Sequence, residues 1–208
     1  MQEKKALSTY KLSLKDEIVV TAMNAFARHG IRAVKMDDIA KQLGISKRTL
    51  YEIYDTKEKL LFEGIQTFKQ QRDRQFKEMA AKSPNVIDFI LAFYRQKTDE
   101  MHHTNVAFYV DMMKYPEVMQ SLEHVREENR QVFCQLMERG VKEGFFRSDI
   151  NYKLVFHVFE ALGEYLNKHE LYQQYSFEEM FHNMIFITLR GFCTRKGIEE
   201  LDRKLKNL

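Results

Sequence analysis

Two prolines, Pro84 and Pro116, are all that 208 residues contain, and glycine occurs only eight times. These are the residues most costly inside a helix, at about 3 and about 1 kcal/mol relative to alanine. A chain so poor in them, and rich in Lys, Glu, Leu and Met, can be helical almost from end to end. No run alternates β-branched and polar residues with the period of two that a strand requires, so sheets are not expected. With 44% hydrophobic and 12% aromatic residues, the chain has the apolar content for a packed interior rather than disorder. Its length suits one sizeable domain or two small ones that share a core. The fold class expected is all-α.

Local signals divide this helical chain. Ser13, with Asp16 three residues on, has the spacing of a capping box, and Leu14, Ile18, Ala22, Ala25 and Phe26 then follow the helical period up to Gly30. "MDDIAKQLG" gives two turns stopped by Gly44, and Ser46 caps a short helix over about residues 47–54. Asp55, with Glu58 as box partner, opens a fourth helix that runs to about residue 81, long enough to link two parts. Ser83-Pro84 restarts the chain as a cap followed by a first-turn proline. "VIDFILAFYRQKTDEM" reads as a largely buried helix, "NVAFYVDMMKY" as a shorter one closed by Pro116, and the following stretch to Gly144 as a long amphipathic helix. Asn151 caps a helix over about 152–171 and a last one covers about 177–195, which makes about nine.

Composition also limits function. No apolar run approaches the length needed to cross a bilayer, and the N-terminus lacks the apolar core of a secretory signal, so a cytoplasmic protein is expected. Cys134 and Cys193 lie far apart without metal-type spacing, as two reduced thiols would. Residues 1–82 carry a net charge of +6 and residues 83–208 one of −3. A basic N-terminal part joined to a mildly acidic remainder suggests that the first part meets a polyanion.

The stretch from Ile39 to Ile53 narrows that suggestion. Two short helices that cross steeply need a small residue where they approach, supplied by Ala40, and a sharp turn that admits positive φ, supplied by Gly44. Ile39, Leu43, Ile45, Leu50 and Ile53 then close a small core against the flanking helices. This is the layout of a helix-turn-helix, whose second helix can lie in the DNA major groove with its N-terminal residues at base edges. Lys47, Arg48 and Thr49 at that end can meet phosphates, guanine edges or thymine. An ordinary helix hairpin with the same Ala and Gly spacing is the plainer alternative.

At this point "AMNAFARHGIRAVKMDDIAKQLGISKRTLYEIYDTKEKLL", residues 22–61, resembles the TetR-type transcriptional regulators. The order of a glycine-ended helix, "DDIAKQLGIS", "TLY" and a charged "TKEKL" carries the resemblance. It implies a helix-turn-helix DNA-binding domain over 1–60, joined by a long helix to a helical effector-binding and dimerisation domain over 61–208. It also implies a homodimer paired through its last two long helices, acting on a palindromic operator and in most members repressing until an inducer binds. Carried over by position, Thr49 and Tyr51 match DNA-contacting residues and Lys57 matches a phosphate-binding lysine at a helix start. Lys47 and Arg48 occupy variable reading positions, and Lys35 stands where the family more often has a capping threonine. Glu52 and Ile53 depart from the aromatic or His residues of many members. Ile53 is expected to close the small core, and Glu52 either to accept from cytosine or, the preferred reading, to face off the DNA and pair with a lysine.

Residues 86–192 are dense in aromatics and methionine. Phe89, Phe93, Phe108, Tyr109, Met112, Phe133, Met137, Phe156 and Phe159 recur at helical spacing. Each alone is ordinary core, but as a set with flexible methionines they fit an adaptable apolar pocket for a lipophilic or aromatic effector. A constitutive or architectural DNA-binding dimer would need no such pocket. Glu100-x-x-His103 and Glu179-x-x-His182 have the spacing of di-iron bundle enzymes, yet composition alone supplies such pairs at about this frequency. No nucleophile, phosphate loop or paired catalytic carboxylates emerge, so neither catalysis nor a metal or cofactor is expected.

Overall fold

The computed structural model of the protein describes residues 2–206. The order of elements is α1 (Gln2–His29), α2 (Met36–Gln42), α3 (Lys47–Ile53), α4 (Lys57–Lys82), α5 (Val86–His103), α6 (Val106–Met112), α7 (Pro116–Lys142), α8 (Tyr152–Lys168), a 3-10 turn (Leu171–Gln173), α9 (Phe177–Phe192) and α10 (Arg195–Leu205). Among the described residues the one strand-like pairing is an isolated antiparallel bridge between Phe146 and Cys193.

Several boundaries differ from the sequence expectation, each for a local reason. Ser13 lies inside α1 rather than at its start, and its hydroxyl bonds Glu17 3.4 Å away. Thr56, not Asp55, caps α4 by accepting from the Lys59 N–H at 3.2 Å, while Asp55 pairs with the Lys59 ammonium at 2.7 Å. Asn85, not Ser83, caps α5, its side-chain oxygen accepting from Asp88 N–H at 3.0 Å. Pro116 begins α7 rather than closing α6, in the first helical position where a missing N–H costs nothing. The expected last helix divides at Phe192, and Thr194 caps a tenth.

The chain forms two compact units, and a cut at residue 60 does not reproduce them. Unit one comprises Met1–Asp73 and His103–Glu123; unit two comprises Arg74–His102 and His124–Leu208. In unit one the core is built from Leu14, Ile18, Ala22 and Phe26 of α1, Ile39 and Ala40 of α2, Leu50 of α3, Leu60 and Leu61 of α4, and Val118. α6 joins this unit through α1. The Asn105 backbone N–H donates to the Ala27 carbonyl at 2.7 Å, which satisfies one of the carbonyls that a helix end leaves orphaned. Gly30, at φ +83°, permits the close approach: a Cβ there would lie 2.9 Å from that of Ala107.

Unit two packs Phe89, Ile87 and Val86 of α5 with Met137, Phe146, Leu189, Phe192 and Leu201. Its α4–α5 turn is held by a residue of α7. Arg139 donates to the carbonyls of Ala80 at 3.0 Å and Ser83 at 2.9 Å and pairs with Glu143, which accepts from Val86 N–H at 2.7 Å. Both free ends of the turn are thereby satisfied by one ion pair. Cys193 is buried here, and burial pushes its thiol up to about 11, so it stays neutral and unreactive at ordinary pH.

Candidate nucleic-acid interface

The site begins with the short helix α3. Seven residues are too few to hold a helix in water unaided, so its stability comes from a cap and from packing. The Ser46 hydroxyl accepts from Thr49 N–H at 3.0 Å and lies 2.8 Å from the Thr49 hydroxyl. Leu50 is fully buried, Ile53 packs on the same core, and Tyr54 beyond the helix end is buried as well. Gly44 takes φ +66° in the turn from α2, with Ala40 buried at the crossing. The opposite face of α3 is open, with Lys47, Arg48, Tyr51 and Glu52 all exposed.

Both basic residues of that face already hold an acid. Lys47 pairs with Asp37 of α2, and Arg48 Nε donates to Glu52 at 2.9 Å across one helical turn. These partners raise the tendency of both cations to stay protonated. Glu52 therefore has a partner as expected, but it is arginine rather than lysine.

The two outlying lysines differ. Lys35 is exposed at the N-cap of α2, where a lysine side chain has no acceptor to offer; the reciprocal half of the cap remains, because Asp38 accepts the Lys35 backbone N–H at 3.1 Å. Lys57 turns inward, donating to the carbonyls of Ile31 at 2.8 Å and Val34 at 2.9 Å. Burial lowers its ammonium below the ordinary value, with Asp111 opposing that shift and Arg32 adding to it. Asp111 of α6, an acid in an otherwise apolar segment, is buried and accepts the Arg32 backbone N–H at 2.8 Å. Neither Asp111 nor Asp37 was among the expected site residues; an acid inside "FYVDMM" was the only sequence sign of the first.

The family model described as bacterial regulatory proteins, tetR family, matches residues 18–63, the span of this helix-turn-helix. The transcriptional repressor KstR2 of Rhodococcus jostii is 30% identical over 152 residues, covering 70% of this chain and 74% of that protein. The chain belongs to the TetR family. It is a helix-turn-helix, DNA-binding transcriptional regulator with an all-α fold. Two solved structures share that fold. A TetR-family regulator from Agrobacterium tumefaciens superposes with a TM-score of 0.70 at 14% identity, covering 88% of this chain and all of that one. The KstR2 regulator of Mycobacterium tuberculosis gives 0.57 at 20% identity, with 87% and 95% covered.

In this TetR-family chain the nine residues expected around an effector separate into two groups. Phe89, Phe93, Phe133, Met137 and Phe159 belong to the core of unit two, with Phe156 against Phe133 at a ring distance of 5.6 Å. Phe108 and Met112 pack on the core of unit one, and Tyr109 meets Phe108 edge-on at 5.5 Å. An open apolar groove of about 400 Å³ instead lies along α8 and α9, lined by residues that include Leu162, Leu166, Tyr175, Met180 and Ile187. On α8, Leu154, Val158, Leu162 and Tyr165 form an exposed stripe, and Ile187 of α9 is 71% exposed. His182 of the second Glu-x-x-His pair bonds the Tyr94 hydroxyl at 2.8 Å, and His102 pairs with Glu178 at 2.9 Å. Among the described residues no three metal-ligating side chains converge, and no helix is long and apolar enough to cross a membrane.

Proposed function

We propose that the protein is a ligand-responsive repressor that binds a palindromic operator as a homodimer. The observation that carries the DNA reading is α3 itself, anchored by Leu50 and offering Lys47 and Arg48 from its N-terminal end. In this reading Arg48 is the candidate for guanine, Lys47, Thr49 and Tyr51 contact bases or backbone, and Lys35 reaches a phosphate. Lys57 serves by fixing the loop from Ile31 to Val34, with one ammonium proton left for a phosphate. The exposed stripe of α8 with Ile187 of α9 supports dimerisation through those helices, since a row of large apolar side chains at helical spacing is what a partner helix covers. Two such heads then meet half-sites about 34–36 Å apart, or wider.

The effector proposed is small and lipophilic or aromatic, on the strength of the aromatic and methionine content of the C-terminal part. One solved structure of the same fold is described as a ketosteroid transcriptional regulator, and a ketosteroid is itself a lipophilic molecule. Selection of bound fragments from random DNA defines the operator, and anisotropy of that duplex during titration with apolar compounds tests release. Expected are a two-fold related site and at least one compound that weakens binding tenfold or more. Recovery of no preferred sequence would overturn the reading.

A further inference from the structure

The charges on α3 stand at the wrong ends for helix stability. Arg48 is the second residue of the helix, where the backbone dipole is positive, and Glu52 is in the last turn, where it is negative. The order, cation first and acid four residues later, is the weaker orientation of such a pair. The arginine side chain is 89% exposed and the glutamate 61%, so the pair contributes little to folding. Stability does not explain the acid.

Its position relative to DNA does. We infer that Glu52 is an intramolecular counterion for Arg48 that lowers affinity for operator and non-operator DNA alike, and so sets how tightly the regulator holds DNA rather than which sequence it selects. The inference rests on the reading that α3 enters the major groove. To reach any DNA, the Arg48 guanidinium must leave Glu52, which costs the ion pair. That penalty is the same for every sequence. It therefore cancels from the ratio of operator to non-operator affinity, and the contact from the arginine fork to a guanine edge still supplies the discrimination. Non-specific binding comes almost wholly from the number of cations available to phosphate, which Glu52 lowers. The Lys47–Asp37 pair acts in the same direction, but Asp37 also lies in the first turn of α2 and favours that helix, which makes Glu52 the cleaner probe.

The test uses full-length wild type, E52Q, R48A and R48A/E52Q, titrated with the selected operator and with a scrambled duplex of equal length at several salt concentrations. Circular dichroism confirms that each remains folded. Expected for E52Q is scrambled-DNA affinity about three- to tenfold higher, with the log–log salt slope steeper by about 0.9 for each recognition helix engaged. Operator affinity rises by a similar factor, so the ratio between the two duplexes changes little. In the R48A background the same substitution changes scrambled-DNA affinity less than about twofold, because the arginine is what Glu52 restrains. Unchanged affinities and slope in E52Q, a gain on one duplex only, or an equal gain in both backgrounds would overturn the inference alone. A loss of operator affinity confined to one base position would also overturn it, by making Glu52 itself a reader of cytosine. R48A indistinguishable from wild type on both duplexes would instead overturn the groove reading beneath it.

Discussion

Lys57 and Tyr54 show how single side chains near the same helix start take opposite positions on burial. Lys57 satisfies two carbonyls that otherwise lie orphaned in the loop from Ile31 to Val34. Lys57→Met keeps the apolar stem and removes those bonds, and is expected to cost about 1–3 kcal/mol in urea unfolding, the range for hydrogen bonds from a charged donor. If phosphate binding adds to this, the variant also flattens the salt dependence of DNA binding; an intact slope would leave Lys57 a purely structural part. Tyr54 is the reverse case. Its hydroxyl is buried with no hydrogen bond of good geometry among the described residues, and burial, reinforced by the nearby Glu63 carboxylate, pushes the phenol well above its ordinary range. Tyr54→Phe should therefore leave stability equal or raise it by up to about 1 kcal/mol, read from the same unfolding curves, since the lost group makes no well-formed bond. A clear destabilisation would show that the hydroxyl is bonded in solution.

At the scale of elements, capping by side chains from distant helices decides more than local propensity. Arg139→Met is expected to lower stability by about 2 kcal/mol, because it strands two carbonyls at the end of α4 and leaves Glu143 unpaired at the start of α5. Hydrogen exchange should place the effect at Ser83 to Val86. None of this could be read from sequence, since α7 lies more than fifty residues from the turn it closes. The helix-turn-helix could be read, because its cap, its turn glycine and its buried Leu50 are neighbours in the chain. α10 was not anticipated, and Gly197 shows why. A glycine in a helical pattern reads as a stop, yet here it lies inside a helix because a Cβ would collide with the Phe145 carbonyl. The nine aromatic and methionine positions expected around an effector show the same limit: periodicity gives the face of a helix, not the core onto which that face packs. Phe108 and Phe133 look alike in sequence and belong to different units.

For the whole molecule, residues 1–82 carry a net charge of +6 and residues 83–208 one of −3, the polarity that favours DNA at the N-terminal part. The exposed apolar row on α8 and α9 sets the assembly expectation. Ile187→Asp, placed at its most exposed member, should shift sedimentation at micromolar concentration from dimer to monomer and weaken operator binding at least tenfold while helix content is kept. A variant that remained dimeric would move the interface elsewhere. The joint between α1 and α6 has a different kind of consequence. The bond from Asn105 N–H to the Ala27 carbonyl is main chain at both ends. The bond itself asks nothing of the side chains at 27 and 105, proline at 105 excepted, but the approach does: Gly30 leaves no room for a Cβ beside Ala107, and the Asn105 side chain caps α6. Substitution at this joint is therefore limited by space and capping rather than by the bond that closes it.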